Sequence, residues 1–147
     1  MEKTPTKTST KLDTVIESAV FALTGEKRKA SLLEAAVTAD QLHPEALVIV
    51  DTIATDFCVT REQILASNRG VKRVAKARQV VMWLIMKNLK MRAEEAAGQL
   101  GRERTTASHA FGEIEKAREN PSIEAYLDSL VVDTQELIDE IDGEDLI

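Results

Sequence analysis

The chain has little of what several protein classes require. Its single cysteine, Cys58, excludes an intrachain disulfide and a thiolate metal cluster. Set between Phe57 and Val59, it is expected to be a buried small hydrophobe rather than a reactive thiol. Aromatic residues make up only 3% of the chain. That disfavours a β-sandwich and favours small helices packed through Ala, Leu, Val and Ile. No apolar run approaches the length of a membrane span. Residues 1–10 are rich in Thr and Lys and contain no apolar signal segment, so a cytosolic location is the expectation. The last deficit is regional: after Arg118 there is no basic residue at all.

What is present is arranged just as unevenly. The 147 residues suffice for one compact domain with modest extensions. The net charge of −6 taken alone argues against a nucleic-acid partner. Its distribution argues the other way. Between Arg61 and Arg104 eleven basic side chains face four acidic ones, a net of +7, and ten acids follow Arg118. A basic block beside an acidic tail points to a polyanion partner for the block.

Apolar periodicity gives an all-α reading, with neither a strand pattern nor an internal repeat. Residues 1–10 are expected to be disordered, and residues 11–43 to form an N-terminal helical extension. Its first helix runs from about Leu12 to Leu23 with Gly25 as its stop, and its second from about Lys29 to Leu42. Pro44 bars further continuation and opens a third helix that reaches about Phe57. Thr60 with Gln63 reads as a capping box for a short helix. The longest helix is expected from Val71 to Met91. It has Val74, Ala77, Val81, Leu84 and Ile85 on one face and a stripe of Lys72, Lys76, Lys87 and Lys90 on the other, with Arg73 at the edge. Short helices over about Ala93–Leu100 and Glu103–Arg118 flank a turn at Gly101-Arg102. Asn120-Pro121 ends the second of these, and the domain is expected to span residues 44–119. Residues 120–147 form an acidic tail with two helical patterns, Ser122–Leu130 and Thr134–Ile141.

Two short helices joined by a tight Gly-containing turn outline a DNA-reading helix-turn-helix. In the second, Ala107, Ala110, Phe111, Ile114 and Ala117 fall on the core side. Thr105, Ser108, His109, Gly112 and Lys116 fall on the other. Small and hydroxyl-bearing side chains let a helix sit deep in the major groove and bond base edges or phosphates. Arg102 and Arg104 stand at its N-terminal end, where this motif makes base contacts, and either can pair with guanine. Arg78 lies toward the apolar side of its helix, where it is as well placed for a structural ion pair as for a phosphate. Trp83 lies on the polar side, and packing under a neighbouring helix is its expected role. His109 and His43 are too far apart in sequence to suggest a metal site, and no nucleophile–base pair or carboxylate constellation suggests an enzyme.

Residues 44–119 resemble the C-terminal DNA-binding domain of DnaA, the bacterial replication initiator. The resemblance is carried by three stretches in order. Ile53-Ala54-Thr55-Asp56-Phe57-Cys58-Val59-Thr60 is similar to the family's Val-Ala-x-x-Phe-x-Val-x segment. Ser67 to Gln79, followed by Val80-Val81-Met82-Trp83-Leu84, is similar to its Ser-led basic loop and apolar helix. Gly101-Arg102-Glu103-Arg104-Thr105-Thr106-Ala107-Ser108-His109-Ala110, followed by Glu113-Ile114-Glu115-Lys116, is similar to its Gly-Gly-Arg-Asp-His-Thr-Thr signature. The resemblance implies an all-α, Trp-repressor-like domain whose helix-turn-helix enters the major groove while the basic loop reaches the adjacent backbone and minor groove. Arg102, Thr105 and Thr106 match DNA-contact positions of the family. Glu103 replaces its Asp, and Arg104 replaces a base-reading His. One Gly of the pair before Arg102 is missing. Gly70 stands where the family has its minor-groove Arg, with Arg69 adjacent. These departures bear on which DNA box is read.

The expected DNA-binding set is therefore Arg69, Lys72, Arg73, Lys76, Arg102, Glu103, Arg104, Thr105, Thr106, Ser108 and His109. No Gly-x-x-x-x-Gly-Lys-Ser/Thr run is present, so no ATP site and no cofactor are expected, and a free-standing reader is expected rather than an ATP-driven initiator. The partner is double-stranded DNA, and the location cytoplasmic at the nucleoid. The role is regulation of replication initiation or transcription in a bacterium or phage. The alternative is an adaptor that uses this fold and the acidic tail to bind a replication or transcription protein. The tail's apolar residues, from Ile123 to Ile141, suggest helices that dock on something, and the N-terminal helices offer a partner surface or a homodimer contact.

Overall fold

Pro44 opens the first helix at a position where its missing N–H costs nothing. Cys58 ends that helix by adopting a left-handed φ of 56°. The computed structural model describes residues 34–145, and Ala35 onward forms one compact unit. A single 3-10 turn, Ala39–Gln41, precedes six α-helices among the described residues. They are α1 (Pro44–Phe57), α2 (Arg61–Leu65), α3 (Lys72–Asn88), α4 (Ala93–Gln99), α5 (Arg104–Ala117) and α6 (Pro121–Asp145). No helix among the described residues is long and apolar enough to cross a membrane. The architecture is all-α, as the periodicity predicts.

Helix α3 is the centre of the packing. Val74, Ala77 and Val81 follow the expected apolar face, but Val80, Met82 and Trp83 are buried as well. Against it lie α1 through Ile49, Val50 and Ile53, α5 through Ala107, Ala110 and Ile114, and α6 through Leu127, Leu130 and Ile138. Each fully buried Ile or Leu contributes roughly 1.5–3 kcal/mol of apolar transfer. Helix α2 is fixed by its ends. Thr60 accepts from the Gln63 amide at 3.0 Å while the Gln63 side chain accepts from the Thr60 amide at 2.9 Å, the capping box expected from the sequence. Arg61 then forks onto the Asp51 carboxylate of α1 through two bonds of 2.8 Å.

Four sequence expectations need correction. The helix expected over Lys29–Leu42 lies partly outside the described residues. Within them Ala35 instead makes a lone antiparallel bridge with Ala66, and Thr38 starts the 3-10 turn. The Ala36 amide is drawn to the Leu65 carbonyl at 2.8 Å, and the Gln41 side chain closes onto the Thr38 amide at 2.8 Å, so the backbone bonds sideways rather than along a helix. Helix α3 stops at Asn88, short of Met91, because Lys90 turns left-handed at φ 59°. It is also not the longest helix. The tail is one helix of 25 residues rather than two. No glycine or proline interrupts Leu130–Thr134, and Leu127, Leu130, Thr134 and Ile138 keep a single buried face across the expected gap. Finally, Cys58 is exposed, since the left-handed stop turns its side chain outward. The Leu12–Leu23 helix and the expected disorder of residues 1–10 lie outside the described residues.

The α4–α5 turn is a Schellman motif. The Arg102 amide bonds the Ala97 carbonyl at 2.8 Å and the Gly101 amide bonds Gly98 at 3.1 Å. Gly101 has φ 67°, and a Cβ there would sit 2.9 Å from the Ala36 Cβ. Gly101→Ala is therefore expected to destabilise the fold by about 1–3 kcal/mol. Urea unfolding followed by circular dichroism checks this through a lowered midpoint at unchanged slope.

Candidate nucleic-acid interface

The inward residues of α3 determine where its cations go. With Val74, Ala77 and Arg78 buried, Lys72, Arg73 and Lys76 are turned to solvent on the first turns of the helix. They line a groove of about 640 Å³ together with Arg69 from the preceding loop, Gln79, Phe57 at the end of α1, and His109 and Glu113 from α5. Five of the sequence-predicted site residues, Arg69, Lys72, Arg73, Lys76 and His109, thus share one cleft between the basic loop and the second helix of the helix-turn-helix. Glu103, Arg104, Thr105, Thr106 and Ser108 lie exposed at the N-terminal end of α5, outside the lining of that cleft. Glu103 caps the helix through its backbone alone, its carbonyl accepting from Thr106 at 2.9 Å. The hydroxyl and arginine side chains therefore project from the first turns of a helix whose other face, Ala107, Ala110 and Ile114, is buried.

The basic stripe is shorter than a helical wheel suggests. Trp83, on the same side of α3, is 1% exposed and donates its indole N–H to Glu115 of α5 at 2.9 Å. This is the packing role expected of it. Lys87 is drawn into the same contact. It pairs with Glu115 at 3.1 Å and sits 5.5 Å from the centroids of both the Trp83 and Phe111 rings. It belongs to the α3–α5 joint rather than to a solvated cationic face. Arg118 reaches Glu115 at 3.5 Å, and Glu124 and Asp128 of α6 at 3.4 Å each.

Two arginines have turned inward. Arg78, 4% exposed, makes neither an ion pair among the described residues nor an outward contact. It donates to the carbonyls of Gln63, Ile64 and Arg69 at 2.8, 2.9 and 2.9 Å. Burial, followed by the charges of Arg102 and Arg69, pushes its pKa down to about 10, so it remains protonated at neutral pH. Arg102, half-buried, donates to the carbonyls of Ala66, Ser67 and Asn68 at 2.6, 3.1 and 3.1 Å. Of the expected site residues it is the one whose guanidinium is engaged by the protein itself.

Sequence reasoning did not pick out Phe57, Gln79 and Glu113 as lining residues. Glu113 carried a usable signal, lying four residues after His109 on the same helix face. Phe57 and Gln79 are placed by the crossing of α1 and α5 over α3, which no local pattern encodes. No group of three or more His, Cys, Asp or Glu residues able to hold a metal is found among the described residues.

The α4–α5 pair, with its tight turn and its exposed polar second helix, has the form of a helix-turn-helix. Residues 47–114 match the family model described as the bacterial dnaA protein helix-turn-helix. The resemblance to the DnaA C-terminal domain is thereby shown over that segment, which is just under half of the chain. Comparison with curated proteins finds no match.

The α3–α5 joint sets a pH dependence. Burial raises the Glu115 carboxyl, but the bonds from Trp83 and Lys87 and the charges of Lys87 and Arg118 outweigh it and hold the pKa below 4.5. A carboxylate depressed in the folded state stabilises above its unfolded pKa and loses that contribution as pH falls through the folded value. Glu115→Gln is expected to melt below the wild type at neutral pH. The gap should close progressively below about pH 4.5, as thermal melts over a pH series would reveal.

Proposed function

We propose that this protein is a double-stranded DNA-binding regulator that reads sequence and acts in bacterial or phage replication initiation or transcription. The observation that carries this is the cleft in which Arg69, Lys72, Arg73 and Lys76 stand beside His109 of the second helix. A duplex needs two things from such a surface: cations on the phosphates to fix position, and side chains on base edges to select sequence. Lys72, Arg73 and Lys76 suit the first task, and Arg69 suits a backbone or minor-groove contact. Arg104, Thr105, Ser108 and His109, with Glu103 and Thr106 beside them, suit the second, because an α-helix fits the major groove. The DnaA-type helix-turn-helix match supports the same assignment. Such a regulator needs neither a cofactor nor a catalytic group, and it would work in the cytoplasm at the nucleoid.

Selection from a random duplex pool, followed by titration at several salt concentrations, tests this. An enriched motif is expected, with affinity falling steeply as salt rises. Lys72→Ala should weaken all duplexes alike and reduce the salt slope by about 1. Arg104→Ala should cost about 1–3 kcal/mol on the selected motif and relax one position of it. Absence of binding even at low salt would defeat the DNA assignment and favour the adaptor alternative, in which the acidic tail binds a replication or transcription protein.

Glu113 gives a second check. Its carboxylate lines the cationic cleft beside His109 and Lys76, where it opposes an approaching phosphate. Glu113→Gln is expected to tighten duplex binding several-fold at low salt and to make less difference at high salt. Competition titrations at two ionic strengths measure this directly.

A further inference from the structure

Seven consecutive carbonyls, from Gln63 to Arg69, accept hydrogen bonds from outside their own segment. Arg78 takes those of Gln63, Ile64 and Arg69. The Ala36 amide takes Leu65. Arg102 takes Ala66, Ser67 and Asn68. The segment is the end of α2 and the loop that delivers Arg69 to the cleft. It has no regular structure between Ala66 and Val71, and its next residue, Gly70, is left-handed at φ 78°. A loop of this kind would ordinarily fluctuate. Here two guanidiniums, one from α3 and one from the helix-turn-helix turn, hold its backbone from beneath. Among the described residues no carboxylate pairs with either guanidinium, and each donates to three peptide carbonyls.

We infer that Arg102 is a positioning residue that locks the 66–69 loop to the helix-turn-helix turn, and that it affects DNA binding through that loop rather than by touching DNA. This rests on the DNA-binding assignment above. The geometry supports it in three ways. The two terminal guanidinium nitrogens are already occupied by three carbonyls within 3.1 Å. Its remaining Nε is buried and faces no acceptor. Its backbone lies in the Schellman turn, two residues before α5 begins. The loop and the recognition helix therefore present their side chains as one unit: a shift of the turn is transmitted to Arg69 through three bonds rather than through a flexible connection. A lysine cannot reproduce this. It keeps the charge but lacks the planar fork that reaches three carbonyls at once.

The test separates a positioning role from a direct contact. Arg102→Lys and Arg102→Met are compared with wild type, each alone and combined with Arg69→Ala or Arg104→Ala. The probes are a random-sequence duplex and the duplex selected from the random pool. On the selected duplex, both Arg102 variants should lose roughly ten-fold in affinity. The loss should be strongly non-additive with Arg69→Ala and additive with Arg104→Ala. Their salt slope should match that of the wild type. Full affinity in Arg102→Lys, or a salt slope reduced by about 1 together with additivity with Arg69→Ala, would show a direct phosphate contact and overturn the inference. A second readout needs no DNA. Backbone order parameters at residues 66–69 should fall from about 0.85 toward 0.6 in Arg102→Met, while those of α5 stay unchanged. Unchanged order in the loop overturns the inference whatever the DNA data show. If wild type binds no duplex but the loop loosens in the variant, the DNA assignment fails while the lock stands.

Discussion

Val80 to Ile85 are buried in unbroken succession, more than one and a half turns of α3 without a solvent face. A helix buried all round must be covered on every side. Here the covering is done by α1, α5 and α6, with α4 holding α5 from behind. The same constraint decides where charge can reside on α3. Cations are barred from its second half unless a partner accompanies them, as Glu115 accompanies Lys87. They are exposed at its first turns, where Phe57 of α1 and His109 and Glu113 of α5 line the cleft with them. The position of the basic surface is thus a by-product of how the core closes.

Much of this was readable from local chemistry. Pro44, the Thr60–Gln63 capping box and Gly101 each act within a few residues of themselves, so their sequence signatures carry directly into structure. The second helix of the helix-turn-helix was legible because its small and polar residues alternate with a buried face at helical spacing. Other features depend on distant partners. Trp83 packs under a neighbouring helix as expected, but that its partner is Glu115, and that Lys87 is half-buried in the same contact beside Phe111, depends on how α5 crosses α3. Arg78 and Arg102 read as surface or ion-pair residues. Their acceptors are main-chain carbonyls up to 36 residues away, which have no sequence signature. The continuity of α6 was missed for a similar reason. Local propensity around Val131-Val132-Asp133 is weak, and packing on α1 and α3 carries the helix across it.

The acidic tail has a defined place among the described residues. Helix α6 docks through Leu127, Leu130 and Ile138, is tied to α5 by Arg118, and donates the Tyr126 hydroxyl to Asp56 at 2.9 Å. Burial and that neighbouring carboxylate raise the Tyr126 pKa, so the phenol stays protonated and donating across the physiological range. The carboxylates of Glu124 and Asp128 on this helix are met by Arg118, the basic residue that ends α5. Arg69, Lys72, Arg73 and Lys76 stay gathered in one cleft while the chain as a whole is anionic.

The loop between α2 and α3 is gripped by its carbonyls, and every amino acid supplies the same carbonyl. The grip on Ser67, Asn68 and Arg69 by Arg102 and Arg78 thus falls on main-chain oxygens that any residue would supply. A substitution at Ser67 or Arg69 would leave in place the main-chain oxygens by which Arg102 and Arg78 hold the loop.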